Sequence, residues 1–197
     1  MKHLAILGST GSIGKSTLKI VEAFPDRFSV ASLAAGGNVD LVFEQSRRWH
    51  PKIVSMASAE AAGHLQDKLK KIGLGHAIEV VYGSPGTVKV ATLPEADFVV
   101  SAIVGVAGLE ATYEAVKAGK TIGVANKECL VSAGSHFMQR VKASGARLLP
   151  VDSEHSAVFQ VFDFAQTAAI ERVTLTASGG PFRTWTVEQM EIGRAHV

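Results

Sequence analysis

Short apolar runs alternate with amphipathic stretches from Met1 to about Pro150. That is the pattern of βαβ units building a largely parallel sheet. The first strand reads Leu4-Ala5-Ile6-Leu7, and the helix after it carries Ile13, Ile20, Val21 and Phe24 at helical spacing before Pro25-Asp26 stops it. A second strand is expected from Phe28 to Ala35, then a helix around Leu41, Val42, Gln45 and Trp49, and a strand at Ile53-Val54. Leu65, Leu69 and Ile72 mark a third helix ended by Gly73. Further strands read at Ala77–Tyr82, Phe98–Val104, Thr121–Val124 and Ala146–Pro150, with helices at Leu109–Ala118 and Gly134–Ala143.

Beyond Pro150 the pattern changes. Charge gathers at Asp152-Ser153-Glu154-His155, ahead of a helix expected over Ser156–Phe162, and a new strand is expected at Val173–Thr176. About forty residues follow the change, too few for a core of their own. The division expected is a first domain over 1–150, the start of a second over 151–190, and a tail at 191–197.

Composition narrows the class. The 197 residues are 47% hydrophobic and 19% charged, with a mean hydropathy of +0.21, which excludes a disordered chain. Twenty basic and 18 acidic residues give a net charge of +2 with no basic run longer than a pair, so nucleic acid and anionic membrane are poor partners. No apolar window approaches the ~18 residues of a membrane span, and the apolar stretch after Met1-Lys2-His3 is too short for a signal peptide. The expectation is a cytoplasmic protein. A single cysteine, Cys129, leaves no disulfide framework and no paired-cysteine metal site.

Gly8-Ser-Thr-Gly11-Ser-Ile-Gly14 lies between an expected strand and an expected helix. In that context glycines allow a tight turn and close approach to a pyrophosphate, whose charge suits the free N–H groups from Thr10 to Ile13 at the helix start. A tight turn without ligand has the same form. At the end of the second strand, where an acidic residue would hold the ribose 2′-OH of NAD, the chain reads Ala34-Ala35-Gly36-Gly37-Asn38. A missing carboxylate favours NADP, with Gly36, Gly37 and Asn38 offering backbone and amide donors.

Two polar clusters follow. Asn126-Lys127-Glu128 ends a strand at the carboxyl edge of the sheet; Lys127 suits a phosphate or oxyanion, Asn126 and Glu128 a ribose. Cys129 beside them has no adjacent histidine and reads as a buried thiol. Asp152 and Glu154, two apart on a segment read as extended, share a face and suit one hard cation such as Mg²⁺ or Mn²⁺. An N-cap with an acidic first turn fits that spacing equally well. His155 is expected on the opposite face. Thr176-Ala-Ser178-Gly179-Gly180-Pro181 is a polar turn, suited to a phosphate or hydroxyl contact and to a plain turn alike.

Leu7–Gly14, Ala35–Asn38, Ala102–Leu109, Ala125–Glu128, Leu149–His155 and Ser178–Phe182, in this order, resemble the 1-deoxy-D-xylulose 5-phosphate reductoisomerases. The resemblance covers residues 1 to about 183. It implies an α/β fold, a Rossmann-like doubly wound and mostly parallel sheet binding NADPH, followed by the truncated start of an α+β catalytic domain. The implied reaction is rearrangement and NADPH-dependent reduction of 1-deoxy-D-xylulose 5-phosphate to 2-C-methyl-D-erythritol 4-phosphate, in non-mevalonate isoprenoid synthesis, by an enzyme that is usually a homodimer. Thr10, Gly11, Ser12, Ile13, Gly36, Gly37, Asn38, Asn126 and Glu128 match cofactor ligands, and some members carry Lys or Arg in place of Gly37. Lys127, Ser153, Glu154 and Ser178 match contacts to the phosphosugar substrate. Asp152 and Glu154 match ligands of a divalent metal, Mg²⁺, Mn²⁺ or Co²⁺, that stabilises an enediolate while NADPH supplies hydride; with Lys127 they form the implied catalytic set.

A third acidic ligand, further phosphate contacts, a loop over the site and a helical domain are expected beyond residue 197. Glu191–Val197 back-translates to a common sequencing-adapter read and is expected to be foreign to the protein. Two other readings remain: a module that binds NADP(H) without turnover, and another NADP oxidoreductase of the aspartate-semialdehyde dehydrogenase kind, which would need a cysteine nucleophile with a histidine partner.

Overall fold

The computed structural model describes residues 1–175 and 183–189. Seven strands, β1 (Lys2–Leu7), β2 (Phe28–Ala34), β3 (Ile53–Met56), β4 (Glu79–Tyr82), β5 (Phe98–Ser101), β6 (Thr121–Val124) and β7 (Arg147–Pro150), form one sheet. All are parallel, in the order β4-β3-β2-β1-β5-β6-β7. The connections run through α1 (Ser12–Ala23), α2 (Val39–Trp49), α3 (Ala59–Lys71), α4 (Gly83–Ala91), α5 (Leu109–Lys117) and α6 (Glu128–Ser144), and α7 (Ser153–Val161) follows β7. After β4 the chain returns to the middle and lays β5 beside β1. The winding direction reverses between those two strands, where open α/β sheets bind ligands.

Side chains alternate across each strand, so Leu4 and Ile6 enter one core and Ala5 and Leu7 the other. The first core packs α1, α2 and α3 through Leu18, Val21, Val42, Leu65 and Leu69. The second packs α4, α5 and α6 through Val90, Ala115, Val116 and Phe137, the last against Tyr113 with ring centroids 6.0 Å apart. Both faces of the sheet are covered, as the near-continuous apolar strands require.

Several sequence expectations need correction. The buried face of α1 is Gly14, Leu18 and Val21, while Ile20 is 51% exposed and Phe24 is also exposed. The sequence pattern gives no sign of α4. β5 stops at Ser101 because Ala102–Val104 leave the sheet for a 3-10 turn at Gly105–Gly108. α6 carries an additional first segment from Glu128; Gly134, where the sequence places a helix start, is non-helical at φ 43, ψ −121, a conformation that only glycine adopts readily, and two helical segments meet there at a kink. Asp152-Ser153-Glu154 is not an extended segment. α7 starts at Ser153, and the Asp152 carbonyl accepts from the Ser156 N–H at 2.8 Å, so Asp152 occupies the N-cap position. The strand expected at Val173–Thr176 is absent over 173–175, and Thr176 lies outside the described residues.

The chain divides into two compact units, Met1–Ser156 and Ala157–Val197. In the second, Phe164 packs tilted against Phe162 and Phe159, with ring centroids 4.8 and 5.6 Å apart, and no described residue is buried. Among the described residues no helix is long and apolar enough to cross a membrane.

Candidate functional site

The glycine side of the site hangs on how β1 meets α1. Gly8 turns at φ +88, and a Cβ there would lie 2.6 Å from the Ala102 carbonyl oxygen, so a side chain fits neither the turn nor the space. Gly8 and Ser9 both donate to the Ala34 carbonyl, at 2.8 and 3.0 Å, and tie the loop to the end of β2. Gln45 of α2 holds it from the other side: Ser9 Oγ donates to Oε1 at 2.8 Å and Nε2 donates to the Ser9 carbonyl at 3.0 Å. α1 then opens at Gly11 with no side-chain cap, leaving its first-turn N–H groups facing outward from the sheet edge.

Two clefts flank this loop at the carboxyl edge. The larger, about 610 Å³, is walled by Gly8, Gly11, Ala35, Gly36, Ala57 and Gly83, with Ser84, Thr87 and Glu110 as its polar side chains and Ile103, Val104, Val106 and Ala107 opposite. The smaller, about 230 Å³, joins Gly11, Ser12 and Ile13 to Ala102–Val104 and to Asn126, Lys127, Glu128 and Asp152. The glycine loop, the end of β6 and the segment after β7 therefore share one cavity.

Lys127 and Asp152, 25 positions apart in the chain, form an ion pair with Nζ 3.1 Å from Oδ2. The Asp152 carboxylate is 15% exposed, and its other oxygen lies 3.2 Å from His155 Nδ1. The hydrogen bond from Lys127 holds the Asp152 carboxyl below the usual carboxylate range and, reciprocally, holds the Lys127 ammonium above the usual lysine range. His155 is thus on the face of Asp152, not the opposite face, because residues three apart meet on a helix whereas they diverge on a strand.

Other expected residues fall outside the clefts. Thr10, Gly37, Asn38, Ser153 and Glu154 line neither of them. Asn38 uses its side-chain oxygen to cap α2, accepting from the Leu41 N–H at 3.1 Å. Ser178 lies outside the described residues. Asn126 is buried, and Cys129 behind it is fully buried, with its thiol pushed up by desolvation. Asp152 and Glu154 supply the oxygen donors a hard cation prefers. Among the described residues, however, no three His, Cys, Asp or Glu side chains gather into a metal site.

Sequence reasoning gave no role to Gln45, to the apolar wall Ile103–Val104, or to Gly83–Thr87 under the larger cleft. Ala102–Leu109 stood out as a motif, but its two flanking glycines, Gly105 and Gly108, gave no sign of which cleft it would line.

A family model described as 1-deoxy-D-xylulose 5-phosphate reductoisomerase matches residues 4–134, and one for the C-terminal domain of that enzyme matches residues 148–196. The 1-deoxy-D-xylulose 5-phosphate reductoisomerase of Geotalea uraniireducens is 53% identical, over 96% of this chain and 48% of its own. That of Methylococcus capsulatus is 50% identical, over 97% and 50%. Among solved structures, the enzyme of Zymomonas mobilis in complex with NADPH aligns with a TM-score of 0.85 at 40% identity, over 96% of this chain and 49% of that one. A DOX-P reductoisomerase in complex with NADPH, fosmidomycin and magnesium aligns at 0.85 and 37%, over 98% and 49%. The chain spans about half the length of the relatives it matches.

Proposed function

This chain belongs to the 1-deoxy-D-xylulose 5-phosphate reductoisomerase family, and from that premise we propose that it forms the NADPH-binding part, and one side of the metal and substrate site, of an enzyme converting 1-deoxy-D-xylulose 5-phosphate to 2-C-methyl-D-erythritol 4-phosphate. The observation that carries the proposal is the single cleft shared by Gly11–Ile13, Asn126–Glu128 and Asp152. That cleft brings uncapped helix N–H groups, suited to a phosphate, together with a lysine and a carboxylate, which supports the reading.

In this reading the uncapped first turn of α1, with Gly11, Ser12 and Ile13, faces the cofactor pyrophosphate, assisted by Thr10. Gly36, Gly37 and Asn38 lie toward the adenosine and its 2′-phosphate. Glu128, half-buried at the start of α6, faces the ribose of the nicotinamide half. Lys127 attracts an anionic substrate oxygen once Asp152 releases it, and Ser153 and Ser178 complete the substrate contacts. Asp152 and Glu154 would hold a divalent cation as part of an oxygen donor set that this chain fills only in part. When bound, NADPH supplies hydride and the cation polarises substrate oxygens. Ile103 and Val104 supply an apolar wall of the shared cavity. The phosphonate fosmidomycin in a relative's structure supports a small phosphorylated substrate. A cytoplasmic homodimer without nucleic-acid or membrane partners completes the proposal.

Fluorescence titration of the purified chain tests the cofactor assignment. Binding of NADPH with a clear preference over NADH is expected; no NADPH binding, or a preference for NADH, rejects it.

A further inference from the structure

The larger cleft holds a single ionisable side chain, Glu110, in the first turn of α5. Ser84, near the start of α4, donates its hydroxyl to Glu110 Oε2, so two helices that follow different strands meet through this carboxylate. Among the described residues the other oxygen, Oε1, has no hydrogen-bond partner. Thr87, the remaining polar side chain of the cleft, donates its own hydroxyl to the Gly83 carbonyl at 3.0 Å. An acid in a first turn suits any helix. One that is also held from a second helix, with an oxygen left over, offers the cavity an acceptor.

What that acceptor can meet follows from the rest of the lining. Gly8, Gly11 and Gly36 bring backbone against the cleft from one side, while Val104 and Val106, 84% and 67% exposed, present bare apolar surface from the other. Exposed valines facing glycine backbone suit a flat and largely apolar ring. Like charges repel, so the cofactor phosphates belong at Gly11–Ile13 and away from Glu110. Its ribose lies toward Gly36–Asn38 in the reading above, which leaves the base for the far side of the cleft. Adenine carries an amine at C6, a donor and never an acceptor.

We infer that Glu110 reads the base of the cofactor: Oε1 accepts a hydrogen bond from the 6-amino group of adenine while Ser84 fixes Oε2. This rests on the cofactor reading proposed above and adds a base-selecting residue to it. The selectivity follows from the chemistry of the edge. An ionised carboxylate only accepts, so a 6-oxo group in place of the amine would set lone pairs against lone pairs.

The test is a fluorescence titration of the chain with NADPH and with its hypoxanthine analogue, in which a 6-oxo group replaces the 6-amino group. NADPH is expected to bind about fivefold tighter, on the scale of one hydrogen bond made or lost. In Glu110→Gln the side-chain amide can donate to the 6-oxo group, and the ratio is expected to fall to about one. Glu110→Ala, which removes attraction and repulsion together, should level the two nucleotides as well. Glu110 is exposed, so neither substitution reaches the core. Equal affinity of the parent chain for both nucleotides overturns the inference. A fivefold ratio that survives both substitutions overturns it too, because another group then reads the amine. In both cases NADPH still binds and the cofactor reading stands. Binding of neither nucleotide fails that reading and takes the base contact with it.

Discussion

The two halves of the sheet present opposite chemistry at the same carboxyl edge. The β1–β4 half offers glycines, backbone N–H groups and a helix start, and the larger cleft these line has one ionisable side chain, Glu110, contributed from α5 across the switch point. The β5–β7 half brings Asn126, Lys127, Glu128 and Asp152 into a cleft little more than a third as large. Backbone donors carry only partial charges, so the glycine half stays open with nothing to neutralise. Full charges in a confined space need partners, and Lys127 and Asp152 take each other. In the function proposed above, the glycine half meets its ligand as it stands, whereas the Lys127–Asp152 pair has to exchange partners first.

The largest test of that contrast is Gly8→Ala. With φ at +88 and the Ala102 carbonyl 2.6 Å from a new Cβ, the substitution is expected to cost about 3 kcal/mol in urea unfolding and to abolish NADPH binding. An unchanged midpoint would mean the glycine half is no rigid template. Next, Asp152→Ala is expected to weaken Mn²⁺ binding about tenfold by water-proton relaxation while NADPH affinity stays within twofold. Equal losses in both would erase the division between the halves.

At the opposite edge of the sheet, Lys120 donates to the carbonyls of Leu93, Pro94 and Ala96 at 2.9, 3.1 and 2.8 Å. Lys120→Met is expected to lower stability by about 1 kcal/mol without moving cofactor affinity, placing that lysine in the scaffold. The smallest effect concerns Cys129. Desolvation raises its folded pKa, so above pH ~8.5 the unfolded chain loses a proton that the folded one keeps. Stability should therefore fall as pH rises through that window toward the higher folded value. Cys129→Ala should flatten the slope of unfolding free energy against pH; an identical slope would mean the thiol is not insulated.

The same contrast governs what was legible in the sequence. Gly8–Gly14 is readable because a backbone requirement is local: turn, close approach and helix start all fall within seven residues. β6 lies where its apolar run puts it, at Thr121–Val124. α4 was hidden by Gly83-Ser-Pro-Gly86, four residues that read as a break. Pro85 nevertheless stands in the first turn of that helix, where its missing N–H costs nothing. The segment of α6 before Gly134 is not legible because the glycine marks a boundary in the pattern, and the backbone does break there, at a kink between two helical segments. The Lys127–Asp152 pair joins positions 25 apart, and the Asn126 amide reaches back 21 and 23 residues to main-chain carbonyls. No spacing rule registers a side chain whose partners are backbone atoms of another segment.

Gly37 has one more consequence. It has no positive φ, and a Cβ there would meet nothing within 4 Å, as at its neighbour Gly36. A new side chain at that position displaces nothing. In evolutionary terms the end of β2 is vacant ground beside the expected 2′-phosphate, and one nucleotide turns a glycine codon into an arginine codon. Selectivity between the two nicotinamide cofactors can thus drift, or be engineered, without disturbing the fold that presents them.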